Sequence, residues 1–226
     1  MMSILSVGKY PPNLIDIDED STTLTAGGKR IGKAASLGNP LSYDKASLIS
    51  RDEQFRPVLD DWDRLLSFEI ERRTDSRRDT MLNAYWKTLI AGATDRCEEV
   101  DDEYGRYFID WYSNYRTAIL ELASAAVASK PSGLSPDEGA LLYNKCVRDA
   151  ALGRRFGFTD GGYMGLFPSG TRAMDSVVLL SGCWLPVVIR YHSGHYEFVG
   201  TCFIQGINLD EIMDDLEIRE EFFKLQ

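Results

Sequence analysis

Arg154-Arg155-Phe156-Gly157-Phe158-Thr159-Asp160-Gly161-Gly162-Tyr163-Met164-Gly165-Leu166 begins the stretch whose reading decides the fold. It continues through Ser176-Val177-Val178-Leu179-Leu180-Ser181-Gly182, Pro186-Val187-Val188-Ile189-Arg190 and Tyr196-Glu197-Phe198-Val199-Gly200, and ends on Cys202-Phe203-Ile204-Gln205-Gly206-Ile207. Apolar runs of strand length alternate with glycine turns, which predicts antiparallel β structure. Asp160-Gly161-Gly162 can supply positive φ for a tight hairpin. Pro168-Ser169-Gly170 and His192-Ser193-Gly194 mark further turns. Pro186 lies within an apolar run and cannot donate to a ladder, so its strand is expected at an edge or bulged there. Five or six short strands of this kind can close into a small barrel or a strongly bent sheet.

Outward from this block the period changes. Ser135-Pro136-Asp137-Glu138 opens a helix: serine caps, proline takes the first helical position, and Glu138 reaches back to complete a capping box. Leu141, Leu142, Lys145, Cys146 and Ala150 continue it, and Gly153 stops it. Three earlier helices show apolar stripes at helical spacing. The first carries Phe55, Val58, Leu59, Trp62, Leu65 and Leu66. The second is capped by Ser76, carries Met81, Leu82, Tyr85, Trp86, Leu89 and Ile90, and ends at Gly92. The third carries Tyr104, Tyr107, Phe108, Trp111, Tyr112, Tyr115, Ile119 and Leu122. Its dense rings are expected to pack against neighbouring helices; a groove for a partner helix is the alternative.

Residues 1–18 suggest one or two short strands or an extended packing segment. Residues 19–50, rich in Ser, Thr, Gly, Asn and Lys, suggest a long exposed loop, with disorder as the alternative. After Asn208 the stripe Ile212, Leu216, Phe223 suggests an acidic helix. The expected fold is therefore α+β: an extended N-terminal segment and loop over 1–50, a helical bundle body over 51–152, a small antiparallel β-barrel-like unit over 153–208 packed on it, and a C-terminal helix over 209–226.

Composition narrows the function classes. The net charge of −10 opposes nonspecific binding to a phosphate backbone. No apolar run approaches the length of a membrane span, and Met1-Met2-Ser3-Ile4-Leu5 has no signal-peptide pattern. Cys97, Cys146, Cys183 and Cys202 are widely spaced, with no CxxC pair, so free thiols in a reducing, cytoplasmic setting are expected. The acidic run Glu98–Glu103 lacks the spaced ligands of a calcium loop.

Reaction chemistry finds little support. His192 and His195, with Cys183 and Cys202 nearby, could suggest zinc, but the histidines fall at a hairpin tip and the cysteines within strands. A Cys–His nucleophile would need a thiolate beside an imidazole. No G-x-S-x-G elbow occurs, and no glycine-rich turn leads into a helix as phosphate binding requires. Tyr163, Phe167, Trp184 and Tyr191 could stack bases, but alternate with apolar neighbours and are expected in the core. No cofactor or metal site is assigned.

Several segments resemble the C-terminal region of fungal heterokaryon-incompatibility (HET) proteins. Thr159-Asp160-x-Gly162-Tyr163-x-Gly165-Leu166 resembles their "TD-x-GY-x-GL". Asp175-Ser176-Val177-Val178 is similar to their "GD-x-V", with Met174 where glycine is usual. Pro186-Val187-Val188-Ile189-Arg190 is similar to "P-F-V-L-R", Val199-Gly200-x-Cys202-Phe203-Ile204-x-Gly206-Ile207 to "VG-x-CYVHGI", and Ala84-Tyr85-Trp86-Lys87-Thr88-Leu89-Ile90 to "AFWRTLI". The family's N-terminal HET domain, distantly related to Toll/interleukin-receptor domains and thought to trigger cell death on non-self contact, has no counterpart in its "YRxCQ" and "WIDxxCI" segments here. The resemblance implies the C-terminal companion region, as a fragment, a truncated product or an independent relative. It implies a noncatalytic regulatory or protein-interaction module in non-self recognition and cell-death signalling. The implied partner is a protein, such as a HET domain in cis or in trans. Arg155, Tyr163, Arg190 and Tyr191 are the candidate anchors, because aromatic and arginine side chains carry most recognition energy. The alternative is a small Cys/His-dependent hydrolase or metal-binding protein.

Overall fold

One long strand organises the sheet. A computed structural model describes residues 15–17, 23–43, 51–72, 78–113, 133–215 and 217–226. Strand β1 is Ile15–Ile17, β2 is Leu24–Leu37, and the helices are α1 Arg51–Arg72, α2 Arg78–Leu89, α3 Asp102–Ser113 and α4 Pro136–Ala151. Then follow β3 Arg154–Thr159, β4 Met164–Pro168, β5 Ser176–Leu180, β6 Val187–His192, β7 His195–Thr201, β8 Phe203–Ile204, helix α5 Leu209–Asp214 and β9 Glu220–Leu225.

Strand pairing runs β5-β6-β7-β9-β2 and returns from β2 to β5, so five strands form a ring. The ring is not a regular barrel. β7 and β9 are parallel and meet through one residue pair, Tyr196 with Leu225, and the Gln226 N–H donates to the Tyr196 carbonyl at 3.0 Å. The C-terminal end of β2 leaves the ring to pair with β3, which continues to β4 and β8. Register shifts in β2 fall between Arg30 and Gly32, within its ladder with β5, and between Ala34 and Ser36, within its ladder with β3. Gly28 permits the tightest approach. A Cβ there would press on the Leu179 carbonyl oxygen and lie 2.9 Å from the Leu180 Cα, so only glycine lets β5 close against β2.

The ring interior is filled by Ala26, Val178, Leu180, Val187, Ile189, Phe223 and Leu225, with Leu24 and Tyr196 packed against them. Phe167, Val177, Val188, Cys202 and Ile204 form a second cluster, packed with Ile31 and Leu37 of β2. The largest cluster joins the helices to the sheet. Phe55, Trp62, Tyr85, Trp86, Phe108, Trp111, Tyr112 and Tyr143 enclose Phe156, Phe158, Met164 and Leu166 of β3 and β4. The rings of α3 thus pack inward as expected over Tyr104–Tyr112, while Tyr115, Ile119 and Leu122 lie outside the described residues. So do Ser76 and the apolar run Ile4–Val7. The capping box of α4 is present, with the Glu138 carboxylate accepting from the Ser135 N–H at 3.0 Å.

Three expectations are corrected. The 19–50 loop contains β2, the strand that closes the ring. Most of its residues are small or basic, with only Leu24, Ile31 and Leu37 large and apolar, and it is paired with β5 and β9. The 209–226 helix stops at Asp214, and Glu220–Leu225 is a strand paired with Leu24–Lys29. Phe223 and Leu225 are buried while Phe222 and Lys224 are exposed, a period of two that a helical stripe does not capture. The β unit therefore extends beyond 153–208 at both ends. Pro186 precedes β6 rather than interrupting it. β6 is paired on both sides, and its register shift falls between Val188 and Ile189.

Candidate interaction surface

The motif residues of the β block hold the turns. In the β3–β4 hairpin the Thr159 hydroxyl accepts the Tyr163 N–H at 3.1 Å, and Gly162 takes φ +81°. The Asp160 carboxylate accepts the Lys33 N–H at 2.9 Å, which ties the hairpin to β2. Asp175 and Arg190 are partners. Arg190 Nε and Nη2 donate to the two Asp175 oxygens at 2.9 and 2.7 Å, and Nη2 also donates to the Gly170 carbonyl at 2.8 Å. Asp175 further accepts the Arg172 N–H at 2.7 Å. The bond to Asp175 raises the Arg190 pKa above its ordinary value. Such two-pronged pairs are strong because charge and geometry coincide.

Met174 stands immediately before Asp175 with φ +73° and donates its N–H to the Ala34 carbonyl at 2.8 Å. Glycine at this place in the resembling family fits a left-handed backbone. A non-glycine residue there costs about 1–2 kcal/mol, partly offset by the roughly 0.5–1 kcal/mol that glycine loses on ordering. The exposed Met174 side chain gives up little on removal. Met174→Gly is therefore expected to stabilise the chain by about 0.5–1 kcal/mol, read as a higher urea midpoint at unchanged slope; a lower midpoint contradicts it.

The four candidate anchors divide. Arg155 is half-buried, with Nε donating to the Gly38 carbonyl at 2.7 Å and Nη1 to the Thr171 carbonyl at 2.9 Å. Burial lowers its pKa. Arg155 and Arg190 are thus engaged within the chain. Tyr163 is 44% exposed and Tyr191 63% exposed, Tyr191 resting edge-on against Tyr196. Trp184, on the β5–β6 turn, is 76% exposed, whereas Phe167 is buried. The core placement expected for Tyr163, Trp184 and Tyr191 is therefore overturned: turns and the exposed end of β6 carry them. Phe198 of β7 is also exposed.

The thiol and imidazole groups are placed as follows. Cys202 is fully buried between β7 and β8, and burial pushes its pKa up to about 12, opposite to nucleophile activation. Cys183 lies in the turn after β5, not within a strand. His192 and His195 flank the β6–β7 turn. Among the described residues, no group of three or more His, Cys, Asp or Glu could hold a metal ion.

Sequence reasoning missed two cations of β2. Arg30 pairs with Glu221 through Nε at 3.1 Å and Nη2 at 2.9 Å, reaches Tyr196 Oη at 3.4 Å and Ser176 Oγ, and stands 5.5 Å from the Phe223 ring centroid. One guanidinium thus connects β2, β5, β7 and β9. Lys29 is buried, and its ammonium donates to the Met213 carbonyl at 2.9 Å and to the Asp215 carbonyl, at the C-terminal end of α5. No local signal marks either residue, because their partners lie far along the chain.

The chain matches the Het-6 beta-barrel domain family over residues 45–225. That match covers most of the chain, and the chain belongs to this family. The membership links it to fungal heterokaryon incompatibility. Neither the curated proteins nor the solved structures contain a match. The matched segment begins after β2, so the strand that closes the ring lies outside it. No helix among the described residues is long and apolar enough to cross a membrane.

Proposed function

We propose that this chain is a noncatalytic interaction module of fungal non-self recognition, acting on cell-death signalling by binding a protein partner such as a HET domain in cis or in trans. One observation carries this reading. The polar motif residues Thr159, Asp160, Asp175 and Arg190 are bonded to turns of the chain itself, while large apolar side chains stand exposed on the β unit. Recognition energy concentrates in such aromatic anchors. Tyr163 and Tyr191 are the anchors to test, since Arg155 and Arg190 are committed to contacts within the chain.

The test is calorimetric binding of the purified chain to a separately expressed HET domain. Tyr163→Ala and Tyr191→Ala remove exposed rings and should leave the thermal midpoint near its original value. A hot-spot loss of about 2 kcal/mol, roughly 30-fold in Kd, is expected for at least one of them. Wild-type chain that binds no HET domain, or tyrosine variants that bind as well as wild type, would remove the basis for this surface.

A further inference from the structure

We propose that the tip of the β6–β7 hairpin is a two-imidazole site for a borderline divalent transition-metal ion, with copper(II) its best ligand. His192 and His195 are direct cross-strand partners. Residues so paired hold their Cβ atoms about 4.5–5.5 Å apart. Their rings lie nearly parallel, 29° between planes, with centroids 6.1 Å apart. Two imidazoles therefore stand stacked at a solvent-facing turn, brought together by cross-strand register rather than by long flexible stems.

Glu197 supplies the second observation. Its Oε2 lies 3.0 Å from His192 Nε2; a carboxylate oxygen accepts, so this contact favours the tautomer with the proton on Nε2. That leaves the lone pair of Nδ1 as the ligating nitrogen of His192. A carboxylate on the far nitrogen is the arrangement that orients a metal-bound histidine and raises its basicity. Glu197 is held in turn by Arg190 Nη1 at 3.4 Å, and Arg190 is locked by Asp175. The hairpin thus presents an oriented imidazole, its supporting carboxylate, and a second imidazole opposite.

The donor set decides the ion. Two neutral nitrogens suit copper, nickel and zinc rather than magnesium or calcium, and copper(II) stands highest in the divalent series. Water would complete the coordination sphere, since among the described residues no group of three or more His, Cys, Asp or Glu could hold the ion. A four-ligand structural zinc site is not what this hairpin offers. The inference stands on the hairpin geometry alone and is independent of the partner-binding reading above.

Copper(II) alone is the probe, titrated into the full-length, untagged chain and followed by calorimetry and electron paramagnetic resonance. One ion per chain and a hyperfine pattern of two nitrogens are expected. His192→Ala and His195→Ala should each weaken binding at least tenfold and leave one nitrogen in the spectrum. Glu197→Gln should weaken binding by roughly tenfold while keeping both nitrogens. On the wild-type chain, paramagnetic broadening of amide signals should centre on residues 190–197, a readout that needs no variant to fold. Equal affinity in the doubly substituted chain, or broadening centred on the amino terminus or on acidic segments, would overturn the proposal.

Discussion

Asp175→Ala is expected to destabilise the chain by about 3–5 kcal/mol, the range for removing one partner of a buried ion pair. Asp175 is almost wholly buried, and the Arg190 side chain is 14% exposed. Removing the carboxylate leaves a guanidinium with little water to replace it. The Gly170 carbonyl and the exposed Glu197 remain as its acceptors. The Arg172 N–H also loses its acceptor. The effect should appear as a large drop in the urea midpoint.

The pair is a clamp rather than a source of net stability, and the two roles separate experimentally. Charge burial costs nearly as much as the attraction returns, so replacing both partners by apolar groups of similar size can be close to neutral. Asp175→Leu combined with Arg190→Met should therefore recover much of the loss from either single change. A double variant as unstable as the sum of the singles would show that the two residues act independently. A loss below about 1 kcal/mol for Asp175→Ala would show that water already satisfies Arg190.

The β block was legible because its signals are local. Asp160-Gly161-Gly162 forms the hairpin it predicts, and Ser135-Pro136-Asp137-Glu138 caps the helix it predicts. The β2 strand was not legible because its burial is supplied from elsewhere. Ala26, Gly27, Gly28, Lys29, Gly32 and Lys33 carry neither alternation nor β-branched bulk; their partners β5 and β9 lie far along the chain. Lys29 looks like solvated surface until the end of α5 covers it. Asp175 and Arg190 were each visible inside short motifs, but their pairing is a tertiary fact. Arg190 was expected to be an anchor because an arginine on a strand carries no local mark of its partner. Trp184 shows the reverse error: an aromatic beside apolar residues reads as core, yet the turn after Gly182 places it in solvent.

Phe156→Ala tests how the helical layer and the sheet form one body. Phe156 is fully buried where the two layers meet. Its ring centroid lies 6.1 Å from Trp62 of α1, 5.2 Å from Tyr85 of α2 and 5.3 Å from Phe158 of its own strand. Truncating a buried phenylalanine costs about 3–5 kcal/mol, from lost transfer energy and the cavity left behind. The upper half of that range is expected here. The site is walled by ring systems already engaged elsewhere: Tyr85 Oη donates to Asp63 Oδ1 at 2.8 Å and Trp62 Nε1 to the Asn39 carbonyl at 2.8 Å. These bonds fix the rings, so the cavity cannot collapse by simple rotation. Phe198→Ala provides the comparison, since an exposed ring should cost no more than about 0.5 kcal/mol. A cost for Phe156→Ala near that of Phe198→Ala would mean that the helices and the sheet are stabilised separately, with β3 contributing little to their union.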